Sequence, residues 1–129
     1  MPFGKIRLDP ADVLFSKYIR KRDGYRCQRC WTFYEDGKGL ACMHYWSRRH
    51  EGTRYEPDNC LAGCVGCHQA LDSDKQGEFS VLMRKRLGEA RFKSLTVQAQ
   101  TYCRKDRKLA LLAIKTLIKQ DEATSKKSQ

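Results

Sequence analysis

The sequence predicts a small α+β domain in which one β-hairpin is held between helices that precede and follow it in the chain. Two Cys-x-x-Cys pairs, Cys27–Cys30 and Cys64–Cys67, bracket a segment that has the alternation of a strand. A basic segment with helical periodicity precedes the first pair, and segments with the same periodicity follow the second pair. We therefore expect a hairpin core closed by the cysteines, with one N-terminal helix and further C-terminal helices.

Length and composition set the domain organisation. With 129 residues, the chain is short enough to form one domain with a small apolar core. We predict a single domain over residues 1–120, with the N-terminal helix at 9–23, the cysteine-clamped core at 25–72 and a helical part at 78–120. The polar residues 121–129 are predicted to form a disordered tail. No run of about 18 apolar residues and no secretory segment is visible, so we expect a cytoplasmic protein without a membrane span.

The cysteines of the two pairs have the spacing of a structural zinc site. A two-residue spacer lets both sulfurs of a pair turn onto one ion, and two pairs supply the four thiolates of a tetrahedral shell. A disulfide framework suits the odd total of seven cysteines poorly, and neither pair is predicted to open a helix after a strand in a βαβ unit, as a redox motif does. We predict one structural Zn²⁺ that contributes to folding. Its ligands would be Cys27, Cys30, Cys64 and Cys67.

The N-terminal helix is predicted from its start and stop signals. Asp9 suits the N-cap, Pro10 the first helical position and Asp12 the positive end of the helix dipole. Gly24 can adopt the left-handed conformation that ends a helix. Apolar residues between these signals recur at helical spacing and form one face. They are Leu14, Phe15, Tyr18 and Ile19.

The first strand of the hairpin is predicted over residues 39–46. Strand alternation places Cys42 and His44 on one face, and Met43 and Tyr45 on the other. A turn follows at a later Glu-Pro-Asp sequence and leads into the second half of the hairpin.

Three cysteines are surplus to the predicted zinc site. Cys42 and Cys60 are predicted to be buried in the hairpin, and no role is predicted for Cys103. Cys60 could enter the zinc site only at the expense of the two-pair spacing.

Three helical segments are predicted directly after the second cysteine pair. A short helix over 67–72 is followed by a loop at 73–77 and by a helix over 79–87 that stops at Gly88. One or two helical turns follow over 89–95.

The last helix is predicted over residues 106–120. Its leucines and isoleucines spread over more than one stripe, whereas packing against a small core needs only one. The second stripe is either further packing or a contact surface for a partner, which would suit a homodimer.

The charge of the chain predicts a polyanionic partner. A formal net charge of +11 gives the positive field expected of a protein that binds a nucleic-acid backbone, although a merely soluble basic protein is the alternative. Arg48, Arg49 and Arg54 lie in the polar segment after the first strand, where guanidinium groups suit phosphate oxygens. We predict that they contact DNA; the alternative is a solvated arginine-rich turn.

The order of the motifs resembles that of the zinc-bearing HNH endonucleases. His44 lies between the cysteine pairs, Asn59 follows it, and His68 comes directly after the last cysteine. The phage Rap/NinG-type recombination endonucleases are similar over about residues 15–95. The segments that carry this likeness are Tyr18–Asp23, Met43–Tyr45, Arg54–Asn59, Cys64–His68 and Leu87–Glu89.

This resemblance implies a ββα-metal fold and a set of site residues. His44 would be the general base, Asn59 the residue that orients it, and His68 a ligand of a catalytic Mg²⁺ or Mn²⁺. Neutral imidazole suits both duties near pH 7.

One position departs from the family pattern. Many HNH sites have an aspartate ligand directly before the base, and here that residue is Met43, whose thioether is a poor ligand for Mg²⁺. The second ligand of the catalytic ion is therefore not fixed by the sequence, and the candidates are His50, Asp72 and His44 itself. Asp72 follows His68 by four residues, so both would lie on one face of a continuous helix.

The resemblance implies a metal-dependent DNA endonuclease, of the kind used in phage or prophage recombination on branched DNA. Two alternatives stay open. The first is a duplex-cutting nuclease of the restriction, homing or packaging type, and the second is a non-catalytic DNA-binding module stabilised by zinc. The imidazoles at positions 44 and 68 favour an enzyme over a binding module.

Overall fold

The computed structural model describes residues 8–73 and 77–127. Over these residues the protein contains two strands and five α-helices, and the predicted α+β class is confirmed. In chain order they are α1 (Pro10–Arg22), β1 (Leu40–His44), β2 (Cys60–Cys64), α2 (Val65–Ser73), α3 (Glu78–Leu87), α4 (Glu89–Gln100) and α5 (Arg107–Lys127).

Helix α1 begins and ends where local sequence signals predict. The Asp9 carboxylate accepts a hydrogen bond from the Ala11 amide at 3.0 Å, and the Asp12 carboxylate accepts one from the Asp9 amide at 2.8 Å. These reciprocal bonds form a capping box that satisfies free donors of the first turn. At the other end Gly24 has a φ of 67°, the left-handed conformation that favours glycine.

The two strands form an antiparallel hairpin whose register fixes the two faces of the sheet. Met43 pairs with Leu61, and His44 pairs with Cys60. Because side chains alternate along a strand, Cys42, His44 and Cys60 share one face, and Met43 lies on the opposite face. The predicted alternation of the first strand is therefore confirmed.

The larger part of the core covers the face of the hairpin that carries Met43. Helices α2, α3 and α4 pack there, and Tyr45 contributes by contacting the rings of Phe79 and Phe92 at 5.2 Å and 5.6 Å between centroids. The buried members of this cluster are Met43, Leu61, Leu71, Phe79, Met83, Leu87, Phe92 and Leu95.

The opposite face of the hairpin is covered by α1 and α5. Phe15 and Ile19 of α1 meet Ile114 of α5 above the buried Cys60. Leu109 and Leu112 of α5 stay on the outside, each more than half exposed. Helix α5 thus uses one apolar stripe for packing, and the predicted homodimer contact through its second stripe stays a prediction.

Two helices extend by at least one full turn beyond the ends that the sequence analysis predicts. Helix α4 continues to Gln100 rather than stopping near Leu95, and α5 continues to Lys127 rather than ending at Gln120. The prediction of a disordered tail from Asp121 is wrong up to that point, because neither proline nor glycine follows to break the helix. Residues 128–129 of the predicted tail, and 74–76 of the predicted loop, lie outside the described residues.

The polar segment between the strands is held by other elements of the fold. The Gln98 side chain of α4 donates a 2.8 Å hydrogen bond to the Gly52 carbonyl. Arg107 of α5 makes two hydrogen bonds, of 2.7 Å and 2.8 Å, with the Glu51 carboxylate. The segment is therefore packed against the body, and its residue Thr53 is fully buried.

None of the helices within residues 8–73 and 77–127 is both long enough and apolar enough to cross a membrane.

Candidate metal centre and active site

The four predicted zinc ligands lie together at one end of the hairpin. Their sulfur atoms are all within 4.8 Å of one another, and Cys30 Sγ lies 3.9 Å from Cys64 Sγ. A tetrahedral zinc ion with bonds of about 2.3 Å places its sulfurs about 3.8 Å apart. The cluster formed by Cys27, Cys30, Cys64 and Cys67 can therefore hold a zinc ion.

The surroundings of two of these sulfurs favour thiolates. Hydrogen bonds with Thr32 lower the pKa of the Cys30 thiol to about 6. The Cys67 amide likewise lowers the pKa of Cys64, whereas burial raises that of Cys67. Arg29 brings a guanidinium nitrogen to 3.4 Å from Cys67 Sγ, where it would offset negative charge on a tetrathiolate centre.

A cleft of about 660 Å³ lies on the hairpin face that carries His44. Helix α1 forms one wall, and α2 contributes His68 and Asp72 to the lining. His44 and Arg48 also line it, so four residues that the sequence analysis singled out for chemistry share one cavity.

The His44 imidazole is held in a defined position within this cleft. Its Nε2 lies 2.9 Å from the Arg54 carbonyl oxygen, which is an acceptor only. The proton of neutral His44 is therefore on Nε2 and the lone pair on Nδ1. Burial lowers the pKa of His44, and hydrogen bonds to the backbone of Arg54 and of Cys42 oppose this only in part. Phe15 packs beside the ring, with 6.2 Å between centroids.

Asn59 fixes the segment that leads away from His44. Its Oδ1 accepts a hydrogen bond from the Trp46 amide at 2.8 Å, and its Nδ2 donates to the carbonyls of Trp46 and Thr53 at 2.9 Å and 3.1 Å. Asn59 is fully buried and its amide cannot reach water, so these protein hydrogen bonds satisfy its polar atoms. The side chain ties both ends of the polar segment together, which is consistent with the predicted orienting role.

His68 and Asp72 lie one helical turn apart on α2. The distance from His68 Nε2 to Asp72 Oδ2 is 3.3 Å, and the two side chains are 38% and 63% exposed. An octahedral ion with bonds of about 2.1 Å places neighbouring ligand atoms about 3.0 Å apart. The pair therefore fits two neighbouring positions around one divalent ion.

Met43 cannot take the place of the missing aspartate. It is fully buried on the opposite face of the hairpin, and its side chain packs against the backbone of Gly63. A carboxylate at this position would be buried among apolar side chains, away from the cleft that His44 lines.

His50, the other predicted candidate for a second ligand, is placed differently from Asp72. Its ring packs on Trp46 at 5.2 Å between centroids, and its Nδ1 is 3.4 Å from Ser47. It is not among the described residues that line the cleft. The structure does not bring it together with His68.

The three arginines predicted to contact phosphate have different environments. Arg48 lines the cleft and Arg49 is exposed. Arg54 is only 5% exposed and makes a double hydrogen bond with the buried Asp12, at 2.9 Å and 2.6 Å. The prediction of a phosphate contact is therefore wrong for Arg54, because its guanidinium is used inside the fold.

Arg20 of α1 was not predicted to belong to this site, although it lines the same cleft. It follows Asp12 and Ser16 at intervals of four, and all three face the cavity. That spacing is visible in the sequence, but it cannot tell which face of α1 meets the hairpin. The Arg20 guanidinium also donates hydrogen bonds to the carbonyls of Ser16 and Gly37, at 3.2 Å and 3.4 Å. Arg20 and Arg48 are thus two arginines among the lining residues of the cleft.

Comparison of the chain with protein-family models, with curated proteins and with solved structures finds no match.

Proposed function

We propose that this protein is a metal-dependent endonuclease that hydrolyses phosphodiester bonds of DNA. The observation that carries the proposal is the presence, in one cleft, of a neutral oriented imidazole, His44, and of the His68–Asp72 pair. Hydrolysis of a phosphodiester needs a group that takes a proton from water, and positive charge near the phosphate. The residues that line the cleft offer both.

His44 supplies the base. The Nε2–H group of His44 donates a hydrogen bond to the Arg54 carbonyl, and the lone pair on Nδ1 can accept a proton from an attacking water. Burial keeps the ring neutral at pH 7 by lowering its pKa, so no proton has to be lost first. Asn59 holds the segment that includes the Arg54 carbonyl and so positions the base indirectly.

His68 and Asp72 would hold the divalent ion. When bound, Mg²⁺ or Mn²⁺ supplies positive charge that stabilises the scissile phosphate and the leaving oxygen. An imidazole beside a single carboxylate favours an ion that tolerates nitrogen ligands, so we expect Mn²⁺ to support faster cleavage than Mg²⁺.

Arg48 and Arg20 would bind the substrate. Both residues line the cleft, and guanidinium groups suit the oxygens of a phosphate. The net charge of +11 adds a long-range attraction to nucleic acid. Branched DNA, as used in phage recombination, is the substrate class that we propose first.

A cleavage assay tests this function. The protein, with its structural zinc in place, is incubated with Mg²⁺ or Mn²⁺ and a panel of duplex, flap and four-way DNA. We expect endonucleolytic cuts that require the added ion, with branched DNA cut fastest. A His44→Ala, His68→Ala double variant purified in parallel reports any contaminating nuclease.

The panel also separates the alternatives. Equal cleavage of plain duplex and branched DNA would keep the nuclease and refute the branched substrate. Tight binding to DNA without cleavage under any ion would refute the enzyme and favour a zinc-stabilised binding module.

A further inference from the structure

A second group of possible metal ligands lies on the hairpin face beside the cleft. A sulfur of Cys42, a sulfur of Cys60 and a ring nitrogen of His44 are all within 4.8 Å of one another. This group is separate from the four cysteines at the end of the hairpin, and the role proposed for His44 uses neither thiol.

The hairpin register explains why these three donors meet. His44 pairs directly with Cys60, and Cys42 precedes His44 by two residues on the same face. Two strands held by backbone hydrogen bonds thus keep the donors together without a ligand. Such preorganisation lowers the ordering cost of binding.

We propose that Cys42, His44 and Cys60 form a second metal site that binds Zn²⁺ and thereby blocks the general base. Two thiolates and one imidazole are a ligand set for zinc and other soft ions, and they do not suit Mg²⁺. Cys42 and His44 line the cleft, so an ion has access from it, whereas Cys60 closes the site from inside the fold.

Binding and catalysis exclude each other at this site. Neutral imidazole has one lone pair, which either accepts the proton of water or binds a metal ion. Each thiol releases one proton as its sulfur binds zinc, so affinity rises with pH. The proposed inhibition rests on the proposed nuclease function, whereas the metal site itself does not.

Metal stoichiometry tests the site without any activity assay. The protein is kept reduced with a phosphine, titrated with ZnCl₂ at buffered free zinc, and examined by native mass spectrometry. We expect the wild type to bind one ion tightly and a second at higher free zinc. Cys42→Ser and Cys60→Ala should weaken the second ion by about tenfold or more, whereas Cys103→Ser should not.

Cobalt gives an independent readout of the ligands. The second equivalent of Co²⁺ should show tetrahedral absorption with thiolate charge transfer in the wild type, and lose it in Cys42→Ser. A wild type that stops at one ion, or variants Cys42→Ser and Cys60→Ala that bind the second ion as tightly as the wild type, would refute the site.

Cleavage in Mn²⁺ with increasing ZnCl₂ tests the regulatory part. We expect zinc to slow the wild type over the range in which the second ion binds, and to slow Cys42→Ser only at about tenfold higher zinc, each relative to its own zinc-free rate. Equal inhibition of both proteins would refute the block at His44. Binding of two ions by a protein that never cuts DNA would support the site and refute the nuclease.

Discussion

Arg48 and Arg54 lie six residues apart in the same polar segment, but their surroundings give them different roles. Arg48 lines the cleft, whereas Arg54 is paired with Asp12 from a helix that lies 42 residues earlier in the chain. The sequence around both residues is equally polar, and only the tertiary fold separates them. Burial of Asp12 raises its pKa, but hydrogen bonds from Arg54 and the Asp9 amide outweigh this and lower it to about 2.

We expect Arg54→Ala to destabilise the protein by about 3 to 5 kcal/mol, because it leaves the Asp12 carboxylate buried without its partner. Urea unfolding followed by circular dichroism measures this. Arg49→Ala is the matched control, since Arg49 is exposed, and its free energy of unfolding should change by less than about 0.5 kcal/mol. If Arg54→Ala kept full stability and lost DNA affinity instead, Arg54 would contact phosphate after all.

The pH dependence of cleavage should report His44, which is partly buried. Burial lowers its pKa below the ordinary value of 6.5. The neutral ring is the active base, so activity is present above this lowered pKa and is lost as the pH falls through it. The acid limb of the single-turnover rate, measured from pH 5 to 8 at saturating DNA and Mn²⁺, should therefore have its midpoint below 6.5. A midpoint above 6.5 would contradict a buried neutral base.

Sequence patterns predict a site residue only where the residues that it acts with are close to it in the sequence. Cys27 and Cys30 follow one another by three residues, as do the other two zinc ligands, and His68 and Asp72 are one helical turn apart; these groups are predictable from spacing. Arg20 was missed because its position depends on how α1 packs. The position of His50 was not predictable, because its segment is held by Gln98 of α4 and Arg107 of α5, which are distant in the sequence.

At the scale of elements, the two strands of the hairpin are in close contact where Met43 of β1 packs on Gly63 of β2. A β-carbon added to Gly63 would lie 2.3 Å from Met43 Sδ, well inside the sum of atomic radii. Gly63 neighbours Ala62 and Cys64, so this contact helps to hold the strand that leads into the zinc cluster. The position that family resemblance reserves for a metal ligand is thus part of the core.

We expect Gly63→Ala to lower the free energy of unfolding by about 1 to 3 kcal/mol, because the new methyl overlaps the buried Met43. The double variant with Met43→Ala should lose less than the sum of the two single variants, since the smaller side chain makes room. Gly66→Ala is the control; it lies in α2 with no atom near its β-carbon, and should be neutral or stabilising. Additive losses would mean that the two residues do not compete for space.

Element boundaries were predictable where the chain carries a stop or start signal. The capping box at Asp9 and the left-handed Gly88, whose φ is 80°, mark α1 and the end of α3. Helix α5 has no stop signal after Gln120, and composition alone suggested disorder there. The first turns of α5 pack on α1, and this tertiary packing stabilises a helix that the composition of residues 121–127 alone does not predict.

For the whole molecule, the zinc cluster joins parts of the chain that share little other apolar contact. Among the described residues, the buried members of the cluster at that end are Cys27, Leu40, Ala62 and Cys67, with Tyr25, Tyr34 and Cys64 packed against them. Two of the four buried residues are predicted zinc ligands. A zinc ion bound by the four cysteines would therefore take the place of a core at this end, as in other small domains.

Removal of zinc should unfold the domain rather than only inactivate it. We expect a strong chelator to abolish the cooperative thermal transition seen by circular dichroism, in parallel with the loss of zinc measured by elemental analysis. Cys64→Ser should fold poorly, and Cys103→Ser, in an exposed segment, should melt like the wild type. A zinc-free protein with an unchanged melting temperature would refute a structural role for the cluster.

The rate of DNA cleavage by His44→Ala tests the central claim most directly. Single-turnover cleavage in Mn²⁺ is compared for wild type, His44→Ala and Cys103→Ser, and DNA affinity is measured in Ca²⁺ with the zinc content of each protein verified. Loss of a general base should reduce the rate by about 10² to 10⁴ and leave affinity nearly unchanged, with Cys103→Ser like the wild type. A His44→Ala protein that cuts at the wild-type rate would contradict the assignment of His44 as the base.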